Sequence, residues 1–482
     1  MSDMGAYELV VGLEVHIQLL TQSKLFAADP NAFGEYPNKN VSVITLAHPG
    51  TMPKLNKQAV ELAIRMGLAC NSEISRYCIF DRKNYFYPDL PKGFQTTQDR
   101  TPICIGGEVE VKLKEEGGVT VPLNRIHLEE DAGKSIHEEG ASDSLIDLNR
   151  AGVPLIELVT EPEIHSAEAA MAFLTEIRQM VRYLDVCDGN MEQGSLRCDA
   201  NISIRKPGNG LGKKVEVKNM NSIRNVGKAI KHEYKRQVEL LDKGEEITTE
   251  TRLFDANTGR TYSMREKEEL NDNRYFTEHD LSPFRVTDEW IASIRSTMPA
   301  TPKQTRKLLV EEYGLTSYEV EVITGDKKLV DFFLETCKLT NYYKAVSNWL
   351  MGPIKGKMNE SEEDAEIPIT SQQLADLVEA LTSKEIHQAI ATKQVFPSLC
   401  EDSSESVKSI LNKLNDESVH QHDISDVILK VVEANPEKVK AYRHGKKNLM
   451  GMFMGEVMKE TNGAVDPKEA NELLRKVLDN QN

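Results

Sequence analysis

Between Arg125 and Pro162 the chain reads RIHLEEDAGKSIHEE, a short acidic turn, and then SLIDLNRAGVPLIELVTEP. This stretch sets His127, Glu129, Glu130, Asp131, Lys134, His137, Asp147, Glu157 and Glu161 among residues of buried-strand character. Side chains of an extended strand alternate between faces, so Ile126, Leu128 and Glu130 share one side while Arg125, His127, Glu129 and Asp131 share the other. Glu130 therefore falls on the apolar side, where a carboxylate needs a metal ion or a basic partner. Leu155, Glu157, Val159 and Glu161 repeat the alternation. Two such strands side by side bring acids from distant positions into one pocket. Hard oxygen ligands of this kind suit Mg²⁺, which usually accompanies phosphates.

The same design recurs along the first 290 or so residues. In VGLEVHIQ, Leu13, Val15 and Ile17 face one way and Glu14, His16 and Gln18 the other. In GSLRCDANISIR, Arg197, Asp199, Asn201, Ser203 and Arg205 oppose Leu196, Cys198, Ala200, Ile202 and Ile204, and KVEVK ending at Lys218 follows suit. Strands with an apolar back and a polar front predict an antiparallel sheet whose front is a concave site, in an α+β domain ending near Trp290. Helical spacing predicts helices from Asn56 to Ala69, from Ser166 to Leu184 with Ser166 as N-cap, and from Ile223 to Leu241. A hairpin is expected between Glu108 and Gly140, turning at EEGG. Beyond Trp290 the pattern is helical, interrupted by the polar, acidic run Lys355 to Thr370, which reads as an exposed linker. The division expected is 1–292 for the sheet domain, 293–408 for a helical domain and 409–482 for a small helical tail.

A length of 482 residues calls for two or three domains. A net charge of −17 excludes a surface that grips nucleic acid all over, though not a local basic patch. Seven scattered cysteines without a C-x-x-C pair point to reduced thiols and away from structural zinc. The N-terminus lacks a basic n-region, and no apolar run is long enough to cross a bilayer, so a soluble, cytoplasmic protein with no membrane attachment is expected.

Three basic features invite a phosphate reading. DRKNYFYPDLPKGFQTTQ, Asp81 to Gln98, sets Arg82, Lys83, Tyr85, Phe86 and Tyr87 around two prolines and a glycine, as a phosphate or base contact or as an ordered structural loop. Ala132-Gly133-Lys134-Ser135 looks like the end of a P-loop, but the glycine required five positions earlier is Leu128, so a Walker A site is rejected and only a phosphate contact by Lys134 is retained. Lys438, Lys440, Arg443, His444, Lys446 and Lys447 gather near the C-terminus without an acid among them, either as a contact to a nucleic-acid backbone or as a solvated face.

Several of these stretches resemble one family, the B subunit of the aspartyl/glutamyl-tRNA amidotransferase. The matching pieces are VGLEVHIQL, KLF, HPGTMPKLN, FDRKNYFYPDLPKG, RIHLEEDAGKS, DLNRAGVPLIELVTEP, GSLRCDANISIR, VEVKNMNS, ETRLFDANTGRTYSMREKE, DNRYF and SNWLMG, in the family's order and over nearly the whole chain. The resemblance implies a cradle domain, a helical domain and a tail that touches tRNA. It implies an ATP- and Mg²⁺-dependent ligase subunit that binds misacylated Glu-tRNA(Gln) or Asp-tRNA(Asn) and phosphorylates the side-chain carboxylate. Ammonia from an amidase A subunit then displaces the phosphate, and a small C subunit completes a heterotrimer. By the same resemblance His16, Glu130 and Glu157 are catalytic and, with Glu129, hold the metal. Glu14, Lys83, Lys134 and Asp199 bind the nucleotide, with Lys83 at the ammonia exit or on phosphate, and Lys438, Lys440, Arg443, Lys446 and Lys447 meet tRNA.

Two places depart from the family. Where many relatives carry zinc-binding cysteines this chain has Ala27-Ala28-Asp29 and Val43-Ile44-Thr45, so no zinc is expected, and Thr277-Glu278-His279-Asp280 replaces the usual proline-rich run. Two rival readings are a pure RNA-binding scaffold, which has no use for Glu14, His16, Glu130 and Glu157, and a free-standing metal-dependent phosphatase or nuclease. No serine-lysine amidase or cysteine-histidine glutaminase signature is present in the sequence, so the ammonia must come from another chain.

Overall fold

The alternating segments become neighbours in one ten-stranded sheet. The computed structural model of the chain describes residues 6–113, 117–137, 143–266, 273–360, 365–419, 424–461, 465 and 467–479. The strands used below are β1 (Glu8–Gln18), β2 (Asp81–Asn84), β3 (Phe94–Thr97), β4 (Glu108–Leu113), β5 (Gly117–Glu130), β6 (Pro154–Thr160), β7 (Leu196–Arg205), β8 (Val215–Lys218), β9 (Glu250–Asp255) and β10 (Arg260–Glu266). The sheet runs β10-β9-β8-β7-β1-β6-β5 and continues through the short strands Cys104–Ile105 and Glu73–Ile74, with β4 also paired to β5. Strands β2 and β3 form a small separate sheet with Phe276–Thr277.

The period of two is obeyed. Leu13, Val15 and Ile17 of β1 are fully buried, as are Ile126 and Leu128 of β5 and Ile156 and Leu158 of β6. They share one core with helices α1 (Lys57–Ala69), α2 (Ala167–Tyr183) and α3 (Ile223–Asp242). Each such side chain contributes about 1.5–3 kcal/mol on burial, so the apolar back fixes which face stays open. The helices start at side-chain caps: Asn56, Ser166 and Ser222 each accept from backbone N–H groups of the first turn. Gly227 permits α3 to approach α2, since a Cβ there would meet Met171 Sδ at 2.4 Å.

One expectation needs correcting. The pairings within the sheet are antiparallel except that of β8 with β9, which is parallel. The whole of α3 lies between those two strands, and a crossover of that length is what a parallel pair requires. The hairpin of β4 and β5 pairs Leu113 with Gly117, and residues 114–116 of its turn lie outside the described residues.

The loop-rich passage after β1 is tied across its length by Asp29. Asp29 Oδ2 accepts from Ser42 Oγ at 2.8 Å and from Thr45 Oγ1 at 2.5 Å. Gly133 of the P-loop look-alike is explained by crowding. A Cβ there would lie 2.9 Å from the Asp147 carbonyl oxygen and 3.0 Å from that of Asp89.

The chain divides into two compact units, Met1–Gln304 and Thr305–Asn482. The described secondary structure of the second unit is all helical. Its helix Ser317–Thr324 opens with a capping box between Thr316 and Glu319. The run expected as a linker begins instead with helix Lys355–Met358, continuing the π-helical turn Leu350–Ile354. Nearer the C-terminus a separate core gathers Ile428, Tyr442, Phe453, Val457, Leu474 and Leu478. No helix among the described residues is long and apolar enough to cross a membrane.

Candidate active site

The polar front is densest where β1, β6 and β5 lie side by side. The register pairs His16 with Glu157 and Glu157 with His127, so a carboxylate stands between two imidazoles on three adjacent strands. Glu129, two residues from His127 on the same face, completes the group. His16 Nε2 lies 3.6 Å from Glu157 Oε2 and 3.8 Å from Glu129 Oε1. One ligand atom from each of His16, Glu129 and Glu157 falls within 4.8 Å of the others. Oxygen and nitrogen ligands of an octahedral Mg²⁺, at about 2.1 Å from the ion, are about 3–4 Å apart, so the donor set fits a divalent cation with water completing its shell.

The electrostatics favour charged carboxylates here. His127 Nε2 lies 3.3 Å from Glu157 Oε2 and 3.6 Å from Glu129 Oε2. Burial disfavours charge on His127, but its contacts to Glu129 and Glu157 outweigh it and hold the pKa up at about 9. For Glu157 burial likewise opposes ionisation, and His127, His16 and Lys83 together pull the pKa well below the ordinary carboxylate range. Thr97 Oγ1 donates to Glu129 Oε2 at 3.2 Å. At the end of the same face Asp131 accepts from Gln18 Nε2 at 2.8 Å and Arg197 Nη2 at 2.9 Å.

Glu130 is not brought to this cluster. Its carboxylate points to the other side of β5, where Lys92 Nζ and the Thr96 N–H, the latter at 2.9 Å, bind Oε1. The basic partner that a buried carboxylate needs is thus Lys92. The pair borders a cavity of about 340 Å³ also lined by Lys24, Arg82 and Glu278. Burial of Lys24 pushes its pKa down to about 8, and its Nζ donates to the Asn40 carbonyl at 2.6 Å.

A second acidic group, Glu14, Asp199 and Glu216, lies further along the front, its ligand atoms also within 4.8 Å of one another. Lys218 Nζ sits inside it, 2.5 Å from Asp199 Oδ2 and 2.9 Å from Glu216 Oε1, and Asn201 Nδ2 donates to Glu14 Oε1 at 2.8 Å. Lys83 is half-buried on β2, its Nζ 5.8 Å from the centroid of the Tyr85 ring. Lys134 is exposed on a separate hairpin opposite Asp147. In the tail, Lys438 faces Glu456 at 3.8 Å, Lys440 faces Glu437 at 3.5 Å, and Lys447 bonds Asp479 at 2.8 Å. Arg443 Nε donates to the Leu478 carbonyl at 3.0 Å, and Lys446 is exposed.

His127, named in the 125–162 stretch without a role, and Glu216 and Lys92, not named for the site, belong to these groups. For the first two the signal was present, since His127 has the parity of Glu129 in RIHLEE and Glu216 that of Lys218 in VEVK. Lys92 lies 38 residues before Glu130, and no local pattern joins them.

The chain is similar to known proteins along nearly its whole length. Residues 9–292 match the family model described as the GatB/GatE catalytic domain, and residues 331–478 match that described as the GatB domain. The B subunit of the aspartyl/glutamyl-tRNA(Asn/Gln) amidotransferase of Thermodesulfovibrio yellowstonii is 45% identical over 478 residues, covering 98% of this chain and 99% of that protein. The proteins of the same description from Thermoanaerobacter pseudethanolicus and Rickettsia rickettsii are 44% and 43% identical, over 98% of this chain and 99% and 98% of their own lengths. With both family models matched in order and relatives aligned end to end, the chain belongs to the family of amidotransferase B subunits.

Proposed function

We propose that this chain is the tRNA-binding, ATP-dependent activating subunit of an amidotransferase that converts Glu-tRNA(Gln), Asp-tRNA(Asn) or both to the correctly amidated forms. The observation that carries the reading is the cluster of His16, Glu129 and Glu157 on the polar face of the sheet. A pure scaffold gains nothing from carboxylates and imidazoles massed at that cost in desolvation.

In this reading an oxygen of the tRNA-borne side-chain carboxylate attacks the γ-phosphorus of ATP. The bond from that phosphorus to the β,γ-bridging oxygen breaks, and ADP leaves with the electron pair. Ammonia nitrogen then attacks the acyl carbon of the acyl phosphate, inorganic phosphate departs, and a proton is lost to give the amide. Mg²⁺ bound at the site would supply positive charge against the developing phosphate charge. His16, Glu129 and Glu157 would hold the ion, Glu14 and Asp199 would border the nucleotide, and Lys83 offers a positive charge beside Glu157. The ammonia comes from an amidase A subunit held with a small C subunit, and the exposed Lys440 and Lys446 of the tail meet the tRNA backbone.

The test is reconstitution with the A and C subunits and measurement of ADP release. Release that depends on Glu-tRNA(Gln), and that Glu157→Gln abolishes while gel-shift affinity for tRNA survives, is the expected result. Equal ADP release with and without aminoacyl-tRNA would favour the free-standing hydrolase and overturn the proposal.

A further inference from the structure

We propose that His127 is a positioning residue for the cation, bridging Glu129 and Glu157 through its Nε2–H and fixing which oxygen of Glu129 faces His16. The inference rests on reading the His16, Glu129 and Glu157 cluster as a cation site. His127 is 4% exposed, and Nε2 is its one polar atom with partners, 3.6 Å from Glu129 Oε2 and 3.3 Å from Glu157 Oε2. Its Nδ1 is buried without a hydrogen-bond partner among the described residues. Both neighbours of Nε2 are acceptors, so that nitrogen carries the proton. The ring's whole polar engagement is therefore with the two carboxylates.

The arrangement is directional. Glu129 Oε2 takes the Thr97 hydroxyl at 3.2 Å as well as His127, which leaves Oε1, 3.8 Å from His16 Nε2, turned toward the cation position. Two carboxylates so close repel one another, and a donor shared between them holds them together before the ion arrives. A leucine would fill similar volume without burying an unpartnered nitrogen, so packing alone does not account for a histidine here. Outer-shell donors of this kind carry about 10–100-fold in metal affinity.

The experiment compares Mn²⁺ binding to the full-length chain, read by electron paramagnetic resonance of free Mn²⁺, for wild type, His127→Leu and His127→Gln, with metal-free thermal melts alongside. Gln offers an N–H near the Nε2 position and Leu offers none. The expected result is binding about 10–100-fold weaker in His127→Leu, largely restored in His127→Gln, with similar metal-free melting for the two variants. Equal affinity in all three proteins would overturn the positioning role and leave the cation site standing. Equal weakening in Leu and Gln would assign His127 to packing and also overturn it. A wild type that binds no Mn²⁺ would remove the cation reading itself, and the proposal with it.

Discussion

Glu157 Oε2 lies 3.6 Å from His16 Nε2 because the two residues are direct partners in the register of β1 and β6. A slip of one residue in that register would turn either strand's polar set into the core. The apolar back of each strand thus fixes the chemistry on its front, and the cluster is as rigid as the centre of the sheet that carries it.

Glu130 is expected to act through stability. Glu130→Gln leaves the Lys92 ammonium, 19% exposed at its side chain, without its anionic partner. The loss should be about 3 kcal/mol, measured as a shift in the urea midpoint. An unchanged midpoint would show that the pair contributes nothing to the fold.

Glu319 ties acid stability to the helical unit. It is 2% exposed and accepts from Thr316 N at 2.9 Å, Ser347 Oγ at 3.0 Å and Lys344 Nζ at 2.5 Å. Burial opposes its charge, but Lys344, Thr316 and Ser347 prevail and lower the pKa from 4.5 to about 2. A depressed carboxylate contributes stability above its unfolded pKa and loses it as pH falls toward the folded value. Because Lys344 is largely exposed and solvent screens its share, Glu319→Gln should cost on the order of 1–2 kcal/mol at neutral pH. The gap from wild type, followed by circular dichroism in urea, should close as pH falls from 4.5 toward about 2. A gap independent of pH would contradict this.

Asp29 should hold the passage that follows β1. Asp29→Ala removes the acceptor shared by Ser42 and Thr45. The expected cost is about 1–3 kcal/mol, with faster cleavage between residues 29 and 54 in limited proteolysis. Cleavage at the wild-type rate would mean that the loop is held by other contacts.

The sheet and the site were legible to different depths. LEVHIQ and RCDANISIR declare their faces through a period of two, and the structure keeps Leu13, Val15 and Ile17 inside and His16 on the front. Parity in RIHLEE already separates Glu129 from Glu130. The grouping of Glu130 with His16 and Glu157 came from resemblance and ran against that parity. What periodicity cannot supply is contact between distant segments. Lys92 reaches Glu130 from a loop, and the acids beside the tail lysines, Glu456 and Asp479, arrive from other helices. The parallel pairing of β8 and β9 depends on the path of α3 over the sheet, which no single strand records.

The most direct test of the account is Mn²⁺ titration of the full-length chain, comparing wild type with Glu129→Gln and Glu130→Gln by calorimetry. Removing a ligand oxygen charge at Glu129 should weaken binding by at least about tenfold, while Glu130→Gln, on the opposite side of β5, should bind as wild type does. Loss of binding in Glu130→Gln with Glu129→Gln unaffected would contradict the assignment of His16, Glu129 and Glu157 as the cation site.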